Sequence, residues 1–167
     1  MGRLLRRILV MGFGFVLAAS CGALFLPIAA LADATVREAG FEAVIGGLFV
    51  MLDATARDGD PAAGFEALGF VFWAILVAVC FAPLALTALV GEIAGARGWS
   101  WYVAATGFLA AASPWIARGA RAQASARPPS QTEARVLGLF FLTGALTGFL
   151  YWLVAVRGEA RAESRSR

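Results

Sequence analysis

The 167-residue chain contains no histidine, no lysine and no asparagine. Without imidazole there is no histidine metal ligand and no histidine general base; without lysine there is no Schiff base and no phosphate-gripping lysine of a P-loop. Most hydrolase and nucleotide-binding chemistries are removed at once. Charge is scarce too: charged residues make up 15% of the chain, against about 25% in soluble proteins. Hydrophobic residues reach 60% and the mean hydropathy is +0.78. That balance excludes disorder, collagen and coiled coil and points to a bilayer. Cysteine is limited to Cys21 and Cys80, without a CxxC, and both fall in apolar segments. Two small buried side chains are expected there, not a redox pair.

All 14 basic residues are arginine, which together with abundant Ala and Gly indicates a GC-rich bacterial genome. The net charge of +3 does not argue for nucleic acid, because the arginines are scattered over the flanks of apolar runs, where they anchor a protein to a membrane surface. Four segments, 8–32, 68–91, 99–117 and 136–156, contain no Asp, Glu or Arg. As helices of ~1.5 Å rise per residue each matches, or nearly matches, a ~30 Å hydrocarbon core. The expected fold is all-α: one membrane domain over 1–167, built as a bundle of four transmembrane helices. Trp99, Trp101 and Tyr102 open the third span, Trp115 closes it, and Tyr151 and Trp152 lie near the end of the fourth, as an interfacial aromatic belt requires.

Between the first two spans lies an acidic connection, 33–67, with Asp33, Glu38, Glu42, Asp53, Asp58, Asp60 and Glu66 against Arg37 and Arg57. Within it Phe41, Val44, Ile45, Leu48, Phe49 and Leu52 recur at helical spacing. The pattern predicts an amphipathic helix over 36–57, ended by the turn Asp58-Gly59-Asp60-Pro61 and lying on the outer interface or capping the bundle. A short fifth span, or a re-entrant segment eased by Gly46 and Gly47, is the competing view. Residues 118–135, with Pro128 and Pro129, have the composition of a flexible loop, and 157–167 that of a basic, headgroup-facing tail. With the N-terminus inside, eight arginines are cytoplasmic (Arg3, Arg6, Arg7, Arg97, Arg157, Arg161, Arg165, Arg167) and six external (Arg37, Arg57, Arg118, Arg121, Arg127, Arg135). Both ends are expected in the cytoplasm. The first segment also has a signal-peptide aspect: Arg3, Arg6 and Arg7 precede an apolar run that Pro27 breaks, and Ala30-Leu31-Ala32 precedes Asp33. Leu17-Ala18-Ala19-Ser20-Cys21 loosely follows a lipoprotein box. The stretch 8–26 exceeds a usual signal core, which favours an uncleaved anchor.

Small residues recur at four-residue spacing: Gly144 and Gly148 in the fourth span, Gly107 and Ala111 in the third, and Gly14, Ala18 and Gly22 in the first. Lipid supplies no hydrophobic drive between helices, so such positions matter by allowing close backbone approach. Gly144, Gly148 and Thr147, flanked by Thr143 and Tyr151, form the expected packing face, its partner either internal or another chain. Glu92 with Arg97 is the only charged pair close to a membrane boundary, and Glu92 is the candidate functional charge. Pro83, deep in the second span, frees the carbonyl of Val79 and is expected to kink the helix.

The stretch Gly144-Ala-Leu-Thr-Gly-Phe-Leu-Tyr-Trp-Leu-Val-Ala-Val-Arg157 resembles the C-terminal span of small uncharacterised polytopic inner-membrane proteins of alphaproteobacteria, and Ala85-Leu86-Thr87-Ala88-Leu89-Val90-Gly91-Glu92 is similar to the same group. The resemblance implies a bacterial inner-membrane location and carries over no activity. No catalytic, cofactor-binding or metal-ligating set is expected, since no spacing brings two carboxylates together. The expected role is that of a non-catalytic accessory or assembly component, working through helix packing with a membrane partner or a second copy. The alternative is a small permease or lipid-interacting transport component with a cavity near Pro83, Thr87 and Glu92.

Overall fold

The computed structural model describes residues 2–58, 61–118 and 130–157, and every regular element among them is helical. Helix α1 (Gly2–Ala32) runs on through Pro27. This agrees with a single span over 8–32: Pro27 stands exposed, and its ring costs the helix one hydrogen bond without ending it. Helix α2 (Ala34–Asp58) follows after a single residue, Asp33. Helix α3 (Pro61–Leu76) begins on a proline, which is pre-set for a first helical position.

A π turn (Val77–Phe81) joins α3 to α4 (Ala82–Ala94). There the Ala82 N–H donates to the Val77 carbonyl. Pro83, next in line, has no N–H to give, and the backbone ladder widens upstream of it instead of breaking. Helix α4 stops at Gly95, the one described residue with positive φ (64°). The Ala96 N–H bonds to Gly91 O at 2.8 Å and the Gly95 N–H to Glu92 O at 3.3 Å, a Schellman closure.

Helix α5 (Trp99–Arg118) and helix α6 (Gln131–Tyr151), the latter extended by a second π turn (Trp152–Val156), complete the chain. Helix α6 starts ahead of the expected Val136 because Ser130 caps it. Ser130 Oγ accepts from the Glu133 N–H at 3.2 Å and Glu133 Oε2 accepts from the Ser130 N–H at 3.0 Å. The expected loop over 118–135 and tail over 157–167 fall mostly at 119–129 and 158–167, outside the described residues.

Contacts fix the register. Gly14 lies against Ala155 and Gly22 against Thr147, so α1 and α6 are antiparallel. Gly148 lies against Tyr102, Gly144 against Thr106 and Gly107 against Phe141, so α5 and α6 are antiparallel as well. Gly91 meets Tyr102, which sets α4 antiparallel to α5. Helix α6 therefore sits between α1 and α5. Helix α2 touches α1, α3 and α6; Val36 at its start is buried, while Phe41, Val44 and Phe49 stand exposed along with Glu38, Glu42 and Asp53.

The interior mixes small residues, Ala18, Ala19, Thr87, Thr106, Ala110, Thr143 and Thr147, with Val79, Leu84, Tyr102 and Tyr151, while many large apolar side chains face outward. The outside of α1 carries a helical stripe of exposed Leu5, Leu9, Phe13, Val16, Leu24, Ile28 and Leu31. Continuous exposed apolar surface of this kind is foreign to monomers in water. Among the described residues, three helical stretches are long and apolar enough to cross a membrane: Leu5–Ala32, Gly69–Ala94 and Gln131–Val156. Helix α5 is not among them; Trp99, Ser100, Trp101, Tyr102, Thr106, Ser113, Pro114 and Trp115 lower its hydropathy, although it has no charge before Arg118.

Candidate functional site

The site with the tightest geometry is the seam that α6 makes with α5 on one side and α1 on the other. A Cβ on Gly148 would lie 2.2 Å from Tyr102 O, and one on Gly144 would lie 2.5 Å from Thr106 O and 2.7 Å from the Ala110 Cβ. Backbone therefore rests on backbone. Phe141 in turn covers Gly107 and meets Phe108 edge-on at 5.3 Å between ring centroids. The face of α5 used here includes Tyr102, Thr106, Gly107 and Ala110, with Ala111 half-buried beside it. The small-residue face of α6 is filled from within the chain.

Thr147 turns towards α1. Its Oγ1 donates to Gly144 O at 2.8 Å, and a Cβ on Gly22 would fall 2.2 Å from its methyl group. Thr143 Oγ1 donates to Leu139 O at 2.9 Å in the same way. Each hydroxyl is thus satisfied by its own helix, leaving the methyl to pack against the neighbour. Two others differ: Thr87 Oγ1 and Thr106 Oγ1 are buried with no hydrogen-bond partner.

Tyr102 and Tyr151 are both buried between helices near the end of the bundle that carries the α4–α5 turn, 2% exposed with ring centroids 5.6 Å apart. Tyr102 OH donates to Ala96 O at 3.2 Å, so its polar tip is satisfied without reaching the surface. Trp99 and Trp115 do stand exposed, at opposite ends of α5. Cys21 and Cys80 are free thiols; Cys80 is buried beside Gly22 and Cys21 is half-buried.

Charges gather at the two ends. Glu92 forms an ion pair with Arg7 of α1, and the Arg97 carbonyl accepts the Trp152 indole N–H at 2.9 Å. At the other end Arg135 Nη1 pairs with Asp33 Oδ2 at 3.0 Å, so the Glu92 region is not the only charged boundary. Arg7 and Asp33 lie about 39 Å apart along α1 at 1.5 Å per residue, and nothing charged separates them. That length is close to a bilayer with its headgroups, ~40–45 Å.

Asp33 does two jobs at its corner. Oδ1 accepts the Val36 N–H at 3.1 Å, capping α2, while Oδ2 meets Arg135. Arg37 Nη1 donates to Leu31 O, a carbonyl that the end of α1 leaves open. The Val36 N–H first, and then Arg135, hold the Asp33 carboxyl below its ordinary 3.8 despite some desolvation. Among the described residues no group of three or more Cys, Asp or Glu could hold a metal ion. No protein-family model, curated protein or solved structure matches the chain.

Sequence reasoning did not find Arg7 as the partner of Glu92, or Arg135 as that of Asp33, because neither pair is local. The Ser130 to Glu133 box did carry a visible S-x-x-E signal.

Two outcomes follow. Gly148→Ala should lower the thermal midpoint in detergent sharply, at a cost of ~1–3 kcal/mol or more from overpacking, whereas Gly138→Ala, on the same helix with nothing within 4 Å of its Cβ, should be neutral or slightly stabilising. Asp33 has a depressed folded-state pKa, so its contribution is present above 3.8 and is lost as pH falls below it. The stability advantage of the wild type over Asp33→Asn should hold at neutral pH and vanish in that acid range, as read from thermal midpoints of the two proteins across pH.

Proposed function

We propose that the chain is a non-catalytic integral protein of a bacterial inner membrane that acts through helix packing, as an accessory or assembly component. The observation that carries this reading is the outward apolar surface of a bundle whose helices meet at glycine, alanine and threonine, with ion pairs at its two ends. A transporter that moves ions needs ionisable groups within its spans, and an enzyme needs an acid, base or nucleophile placed against another. The seam offers neither.

In this reading α5 is a fourth crossing. Its close fit to α6 from Tyr102 to Ala110 supports that, as does its charge-free length of ~30 Å before Arg118. Arg7, Glu92, Arg97 and Arg157 then share the cytoplasmic side, and Asp33, Arg135 and α2 the outer side. Helix α2 lies on the outer interface, with Phe41, Val44 and Phe49 exposed and Glu38, Glu42 and Asp53 along one edge of that apolar face. The surface offered to a partner helix in this reading is the part of α3 at 69–75, where every residue is exposed, including Phe70 at 71% and Trp73 at 58%. The α6 glycines are already occupied by α5.

A second reading, a small permease or lipid-interacting transport component, draws on the unpaired Thr87 and Thr106 hydroxyls next to the Pro83 turn. The two separate cleanly. On the packing reading, mild-detergent purification from native membranes brings down a stoichiometric companion, which Phe70→Ala with Trp73→Ala removes while the thermal midpoint holds. Thr87→Val is then neutral or stabilising, because an unmet hydroxyl is exchanged for a methyl, and Glu92→Gln is silent in growth. A clean monomer whose host shows a transport defect with Glu92→Gln at normal protein level would favour the permease.

A further inference from the structure

The end of the bundle that carries the turn between α4 and α5 gathers arginine from three separate elements: Arg6 and Arg7 from α1, Arg97 from the turn, and Arg157 from the end of α6. Trp152 organises two of them. Its indole N–H holds the Arg97 carbonyl at 2.9 Å, and its ring centre lies 5.8 Å from the Arg157 guanidinium carbon. The described carboxylate at this end is Glu92, which Arg7 engages, so the described side chains leave the end net positive. The opposite end has the reverse balance, with Asp33, Glu38, Glu42 and Glu133 against Arg37 and Arg135.

The cationic end lies where the outward apolar stripes stop. Leu5, Ile8 and Leu9 on α1, Ile93 on α4 and Leu153 after α6 are exposed beside it. Arginines from three elements at one end of the bundle, with an indole at the rim of an apolar surface, suit one chemistry, a phosphate whose attached acyl chains continue along that surface. We propose that this end binds the headgroup phosphate of an anionic phospholipid, with Arg97 and Arg157 as its principal contacts and Trp152 as the residue that positions them. The proposal rests on the bilayer reading above and adds a lipid class to it. The acidic outer end repels the same headgroup, so the site also gives the protein a preferred leaflet.

The test uses the full chain in an uncharged detergent, stripped of native lipid and titrated with phosphatidylglycerol or with phosphatidylcholine of the same acyl chains, while the thermal midpoint is followed. Phosphatidylglycerol should raise the midpoint and phosphatidylcholine should not, and added salt should weaken the effect. Arg97→Gln with Arg157→Gln should reduce the apparent affinity about thirtyfold, at the usual contribution of an arginine near an anionic surface, and Arg37→Gln at the far end should leave it unchanged. Equal shifts with both lipids, a salt-independent shift, or wild-type affinity in the double variant would overturn the proposal. Soluble glycerol phosphate acting as well as the lipid would overturn it too, by making the ligand a free phosphate. If the double variant does not fold, the lipid preference and salt response of the wild type decide the matter. Recovery of the chain without detergent would instead overturn the bilayer reading, a result distinguishable from protein that extracts normally and shows no lipid preference.

Discussion

The contact of the α6 backbone with the α5 backbone, at Gly144 and Gly148, is the constraint on which the remaining geometry depends. In water a bundle is held by burying large apolar side chains; between lipid-soluble helices that gradient is absent, and dispersion at short range takes its place. Once Gly148 sits on Tyr102, the register of α5 is fixed. Tyr102 then reaches both Gly91 and Tyr151, and α4 is drawn in beside them. On its other side α6 offers Thr143 and Thr147, whose methyl groups fit against Gly22, so α1 is placed by the same helix.

Polar groups finish what the seam begins. The ion pairs Arg7 with Glu92 and Arg135 with Asp33 join helix ends at opposite limits of the apolar band. Both are partly exposed, and pairs of that kind add little stability individually. Their effect is on position: one holds α1 to the end of α4, the other holds the corner between α1 and α2 to the start of α6. The Schellman closure at Gly95 and the capping box at Ser130 set where α4 stops and α6 starts.

Much of this was legible in the amino-acid order, and the remainder fails for identifiable reasons. The absence of charge over 8–32, 68–91 and 136–156 marks the three long apolar helices, because burying an ionisable side chain in hydrocarbon is costly. The spacing of Gly144 and Gly148 marks a close-approach face, since residues four apart stack on one side of a helix. That Ala110 is the alanine nearest Gly144 is not legible in the sequence: Ala110 and Ala111 are equally small, and the register decides. That Tyr102 and Tyr151 are buried between helices is not visible in the sequence, because tyrosine suits both a membrane boundary and a core with a nearby carbonyl, which Ala96 O supplies for Tyr102. Glu92 was picked out as a boundary charge, but Arg7 came from a helix far away in the chain. The start of α6 was obscured by Pro128 and Pro129, whose loop character outweighed the Ser130 box beside them.

The most direct measurement is the sidedness of three corners in intact cells, with Cys21 and Cys80 replaced by alanine and single cysteines introduced as Thr35→Cys, Ser100→Cys and Ser130→Cys. A membrane-impermeant thiol reagent should label the first and third from outside, and the second only after the membrane is opened. Labelling of Ser100→Cys and Ser130→Cys from the same side would contradict the account, because α5 would then not cross the bilayer and the seam with α6 could not lie within it.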